Sequence, residues 1–117
     1  MIDKNLSSLK KSKAVIDDIL ESKEVQISIH SAIELVVNCL QDDKKLLFAG
    51  NGGSAADAQH MSAEYVSRFM FDRPGLPSVV LTTDTSALTV IGNDYEFEKL
   101  FSRQIQVIGN KGDILFA

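Results

Sequence analysis

The chain has 117 residues, 44% of them hydrophobic and 24% charged, which suits one soluble-type domain with a core of modest size. A net charge of −4, with Lys10, Lys11 and Lys13 offset by nearby Asp17 and Asp18, argues against nucleic acid as the main partner. No apolar run approaches the roughly 18–20 residues needed to cross a bilayer, and the first residues lack the basic-then-apolar plan of a signal peptide, so a cytoplasmic protein without a membrane partner is expected.

Ile2, Leu6, Leu9, Ile16, Ile19 and Leu20 recur at helical spacing and predict an amphipathic helix over about residues 3–22. Val25, Ile29, Ile33, Val36, Val37 and Leu40 repeat the pattern and predict a second helix ending near residue 40. His30 on that helix has no evident partner and reads as structural. Cys39, the only cysteine, excludes an intrachain disulfide, fits a reducing compartment and reads as a small core residue. The two long apolar stripes want a surface to cover, for which a partner subunit is a candidate.

After the polar turn Asp42-Asp43-Lys44, residues 45–49 form a short strand, apolar after Lys45, as expected when helices cover both faces of a parallel sheet. A glycine turn at 50–53 then opens a helix over about residues 54–69. Such a turn at a helix N-terminus gathers free N–H groups and the positive end of the helix dipole, a place for an anion. Asp57, read into the first turn, suits that dipole. His60 and Glu64, four residues apart, share a helix face. Anion cradle and imidazole–carboxylate pair together suggest chemistry on a phosphorylated small molecule. As a metal site the pair is incomplete, because zinc needs three or four protein ligands.

Residues 73–77, with two prolines, form a loop, and 78–82 a second strand. Thr83 or Asp84 can cap a helix through about residue 91. Gly92-Asn93-Asp94 breaks it, either as a simple turn or as a source of hydrogen bonds to sugar hydroxyls. Residues 95–108 resume as helix with Phe97, Leu100, Phe101 and Ile105 inward, and residues 113–117 start a third, buried-type strand. The alternation defines an α/β fold with a parallel sheet. Two N-terminal helices (about 1–44) precede an α/β portion (about 45–117) that reads as the N-terminal part of a larger domain.

Gly50-Asn51-Gly52-Gly53-Ser54-Ala55 also matches the dinucleotide pattern Gly-x-Gly-x-x-Gly/Ala, but weakly. The pattern also wants an acidic residue about 20 positions on, closing the second strand. Asp84, the nearest in kind, lies 34 residues after Gly50. Ser62, Ser67, Thr82 and Thr83 have no base at a diagnostic spacing, so nucleophilic catalysis is not supported.

Residues 50–60 (Gly-Asn-Gly-Gly-Ser-Ala-Ala-Asp-Ala-Gln-His), Ala63-Glu64, residues 81–88 (Leu-Thr-Thr-Asp-Thr-Ser-Ala-Leu), Ile91-Gly92-Asn93-Asp94 and Phe101-Ser102-Arg103-Gln104 closely resemble the bacterial phosphoheptose isomerases, a family of sugar isomerase (SIS) domain proteins. The resemblance runs over nearly the whole chain. It implies conversion of sedoheptulose 7-phosphate to D-glycero-D-manno-heptose 7-phosphate, in heptose biosynthesis for lipopolysaccharide core or capsule. It further implies that Asn51, Gly52, Gly53, Ser54, Asn93 and Asp94 bind substrate, together with Glu64. His60 and Glu64 would be two ligands of one Zn2+ per subunit, and Glu64 the catalytic base. A metal-bound Glu64 is a weaker base, so the carboxylate is expected to loosen from the metal as substrate binds. Members are homotetramers whose N-terminal helices lie in subunit contacts, which would occupy the two apolar stripes.

Members also carry a Ser-Thr-Ser-Gly phosphate loop after this point, and later a Gln and a His that complete the zinc site. None of these is among the 117 residues, which alone are expected to be inactive. The competing reading is a non-catalytic SIS protein that binds a replication initiator or senses a sugar phosphate. His60 and Glu64 together favour the enzyme.

Overall fold

The computed structural model describes residues 2–117, with side chains from Leu6 onward. The elements run α1 (Ile2–Glu21), α2 (Lys23–Gln41), β1 (Leu46–Phe48), α3 (Gly53–Val66), β2 (Ser78–Val80), α4 (Thr85–Asp94), a 3-10 turn (Phe97–Lys99), α5 (Leu100–Ile108) and β3 (Ile114–Phe116). They form two compact units, Met1–Leu35 and Val36–Ala117.

Both expected helices are present, and Ser22 separates them. Its Oγ accepts the Val25 N–H at 3.3 Å, a cap at the start of α2. Leu9, Ile16, Ile27 and Ile33 are all exposed, so the apolar stripes are uncovered. His30 does have a partner, contrary to expectation: its Nε2 lies 3.4 Å from Glu34 Oε1, one helical turn on.

The second unit is built on a three-stranded parallel sheet of order β2-β1-β3. β1 is central and wholly buried, with Leu46, Leu47 and Phe48 at 0%, 2% and 1% exposure. Alternating side chains of a strand face opposite ways, so both faces at β1 are covered, as its unbroken apolar run requires. Leu46 and Phe48 pack with Cys39 and Ala58, ringed by Val36, Leu40, Tyr65, Val80, Ile114 and Phe116. Phe48 stacks on Phe116 with ring centroids 4.8 Å apart. β3 is less buried than its composition suggests: as an outer strand it leaves Leu115 exposed. Burial in this apolar cluster pushes the Cys39 thiol above its ordinary range, which keeps it inert as expected.

One polar pin fixes β1 against β3. The Asp113 carboxylate accepts from the Lys45 N–H (3.0 Å), the Lys45 ammonium and the Asn110 N–H (2.7 Å). Burial alone would raise its pKa, but these donors outweigh it and hold the carboxyl below the usual range.

Three boundaries depart from expectation, each with a local reason. α3 stops at Val66 rather than near residue 69, because its last carbonyls are met by donors from the following loop. It begins at Gly53, so Asp57 lies beyond the first turn and does not cap the dipole. α4 runs straight through Gly92 and Asn93 to Asp94; the break falls at Tyr95 and Glu96. Glu96 is extended there, and the 3-10 turn carries Phe97 outward at 67% exposure instead of inward.

Candidate functional site

In a parallel sheet all carboxyl ends lie at one edge, and ligands of open α/β sheets bind there. At that edge β1 leads into the glycine turn and β2 into Thr82, Thr83 and Asp84. The turn is shaped by close approach. A Cβ on Gly50 would meet the Ser54 carbonyl oxygen at 2.5 Å, whereas one on Gly52 or Gly53 would meet nothing within 4 Å. Gly52 has φ 57° and ψ −123°, a conformation glycine tolerates and L side chains rarely adopt. The N–H groups of Ser54 and Ala55 are turned back to Asn51 O and Gly52 O (3.0 and 3.1 Å). No side chain caps α3, and the space a Cβ would take on Gly52 or Gly53 is open at the positive end of the helix. Gln59 Nε2 donates to Thr82 Oγ1 at 3.2 Å and ties α3 to the neighbouring loop.

Asp84 is already committed. Its Oδ1 accepts the Ala87 N–H at 2.9 Å and caps α4, which leaves a dinucleotide reading without its acidic group.

Further along α3, His60 Nε2 lies 3.4 Å from Glu64 Oε1; the histidine is 78% exposed and the glutamate 34%. The pair opens on a cavity of about 490 Å³ walled by Met61, Tyr65, Phe69, Phe71, Arg73 and Leu76. Two ligands on one tetrahedral zinc, with bonds near 2.0–2.1 Å, stand about 3.3 Å apart, so the separation fits a shared metal. Distance alone does not define the site, since the exposed His30–Glu34 pair has the same 3.4 Å. The cavity and the half-buried carboxylate do. Among the described residues no third His, Cys, Asp or Glu joins the pair. His60 and Glu64 are by themselves an incomplete ligand set for zinc.

The structure does not bring all the expected site residues together. Glu64 follows Gly53 by eleven residues along α3, about 16 Å at 1.5 Å per residue. The cavity beside Glu64 contains no residue of the glycine turn. Asn93 and Asp94 lie in the last turn of α4, exposed, with Asn93 Nδ2 donating to Asp94 Oδ1 at 2.9 Å. Neither Asn93 nor Asp94 lines the cavity beside Glu64.

Sequence reasoning passed over the cavity walls. Phe69 and Phe71 flank Met70, whose φ of 63° turns the chain sharply while the Phe71 N–H donates to Phe69 O at 2.7 Å. Nothing in the pattern announces that turn. Arg73 was legible in part: a basic residue after a helix, ahead of Pro-Gly, is a candidate for the helix's last carbonyls.

The chain belongs to the SIS domain family, whose profile matches residues 9–117. It is 52% identical over 109 residues to the phosphoheptose isomerase of Burkholderia pseudomallei strain 1710b, a match covering 93% of this chain and 55% of the relative. Among solved structures, phosphoheptose isomerase from Neisseria gonorrhoeae superposes with a TM-score of 0.78 at 42% identity, covering 98% of this chain and 59% of that one. The one from Francisella tularensis gives 0.90 at 33% identity, with 97% and 59% covered. The chain thus spans a little over half the length of the relatives it matches. Among the described residues no helix is long and apolar enough to cross a membrane.

Proposed function

We propose that the protein is an aldose–ketose isomerase that converts sedoheptulose 7-phosphate to D-glycero-D-manno-heptose 7-phosphate, as a cytoplasmic homotetramer serving heptose biosynthesis for lipopolysaccharide core or capsule. The observation that carries this reading is the Glu64 carboxylate, half-buried beside His60 and opening on a cavity of about 490 Å³. The similarity to phosphoheptose isomerases over almost the whole chain supplies the substrate.

The reaction moves a proton from C1 to C2 and a second from O1 to O2. Glu64 removes the C1 proton; the electrons form the C1=C2 bond and O2 takes up a proton, giving the enediol; loss of the O1 proton then re-forms a carbonyl at C1 while the same carboxylate returns the proton to C2. A carboxylate on a helix beside a cavity can reach two adjacent carbons with little movement. Water must be kept away from the enediolate, and the apolar side chains of Met61, Tyr65, Phe69 and Phe71 supply a dry wall. The N–H groups of Gly52 and Gly53, with Asn51 and Ser54, bind substrate oxygens at the sheet edge; Asn93 and Asp94 add further hydrogen bonds. His60 and Glu64 would hold one Zn2+, which supplies Lewis-acid stabilisation of the developing oxyanion. The pair alone does not complete a zinc site.

The test is turnover of sedoheptulose 7-phosphate by the protein expressed from its complete reading frame, beside a Glu64→Gln variant. Loss of at least about a hundredfold in kcat for the variant is expected. Full turnover by Glu64→Gln would remove Glu64 as the base.

A further inference from the structure

The last carbonyls of an α-helix have no donors within the helix and must find them elsewhere. At the end of α3 three are satisfied from outside the helix. Ala63 O accepts the Ser67 N–H at 2.9 Å, and Tyr65 O accepts the Leu76 N–H at 2.9 Å. Arg73 provides the rest. Its Nη2 donates to Glu64 O at 2.7 Å, and its Nη1 to Tyr65 O and Pro74 O, both at 3.0 Å. The loop packs tightly enough here that a Cβ on Gly75 would lie 2.5 Å from Val66 O. Arg73 also lines the cavity on which Glu64 opens.

Glu64 sits in the final turn of α3, where helices fray and opening is cheapest. The direction of its carboxylate follows the main chain of that turn. A guanidinium holds several donors in a rigid plane and can grip two successive carbonyls at once; an ammonium, a single rotating point, cannot grip them with the same geometry.

We propose that Arg73 is a positioning residue for Glu64. By clamping the Glu64 and Tyr65 carbonyls it fixes the turn from which the carboxylate projects. This rests on Glu64 being the base of the proposed reaction. A misplacement of about 1 Å at a reacting group can cost on the order of a hundredfold in rate, so a clamp one bond network away from the carboxylate acts on kcat.

The test compares the unsubstituted protein, Arg73→Gln, Arg73→Lys and Glu64→Gln, all from the complete reading frame. Two readouts are taken: steady-state kinetics on sedoheptulose 7-phosphate, and native-state amide hydrogen exchange. For Arg73→Gln, kcat falls at least about tenfold with KM changed less than about twofold, and Arg73→Lys recovers part of the loss. Exchange at the Tyr65, Val66 and Ser67 amides accelerates, while that in β1 stays as it was. Unchanged kcat in Arg73→Gln, alongside an inactive Glu64→Gln, would overturn the positioning role and leave the isomerase reading standing. So would equal acceleration of exchange in β1 and α3, the mark of a merely global stabiliser. An unsubstituted protein without turnover would instead overturn the isomerase reading, and the positioning role with it. If Arg73→Gln does not fold, Arg73→Lys decides by the same kcat and exchange criteria.

Discussion

Gly50 and Ser54 meet so closely that a Cβ on the glycine would lie 2.5 Å from the serine's carbonyl oxygen. The contact is backbone to backbone and cannot be relieved by a rotamer change. It sets how tightly β1 turns into α3, and so how the Gly52–Gly53 backbone is presented at the sheet edge. Gly50→Ala must push the first turn of α3 outward and is expected to lose about 2–3 kcal/mol of stability. Gly52→Ala meets no neighbour but must adopt φ 57°, at a cost of about 1–3 kcal/mol. Urea unfolding of both variants checks the pair, and Gly53→Ala, which meets neither constraint, should change least.

The Asp113 pin predicts a pH dependence of stability. Its folded pKa is depressed below the ordinary Asp value of about 3.9, so its contribution is complete above that value. The contribution is lost as pH falls through the folded pKa. Asp113→Asn is expected to lower stability by about 2 kcal/mol at pH 7. The difference between the two proteins should stay constant from pH 7 to about 5 and close below about pH 4. Denaturant titrations across that range check it; a gap that widened on acidification would contradict the sign.

The two His–Glu pairs make a matched control for metal binding. His60–Glu64 on α3 and His30–Glu34 on α2 share the i,i+4 spacing and a 3.4 Å separation, and the former opens on a cavity. In the protein from the complete reading frame, His60→Ala should weaken zinc binding by at least about tenfold, and His30→Ala should leave it unchanged. Equilibrium dialysis against buffered zinc measures both. Equal weakening by the two variants would place the metal elsewhere.

Much of the fold was legible because each element is punctuated by residues with one physical meaning. The β1 run is apolar at every position because both of its faces are covered, and Asp84 caps α4 as its position before Thr85 suggests. What was not legible depends on partners distant in sequence. The end of α3 is set by Arg73 and Leu76, seven and ten residues beyond Val66, and no helical periodicity carries that information. Gly92 failed as a breaker because an isolated glycine lowers helix propensity by only about 1 kcal/mol, within what a packed helix tolerates. The candidate site was legible as a motif and not as a geometry. Spacing placed His60 and Glu64 on one face, but could not show that the cavity beside them is walled without the glycine turn or Asn93–Asp94.

The most direct measurement follows the proton. Sedoheptulose 7-phosphate is incubated in D2O with the zinc-supplemented protein from the complete reading frame, and product is read by NMR. The predicted result is an aldose phosphate, formed by the unsubstituted protein and not by Glu64→Gln, whose C2 hydrogen is protium carried over from C1 wherever the shielded carboxyl returns it before exchanging with solvent. Product formed equally by Glu64→Gln, or no product from the unsubstituted protein, would contradict the account.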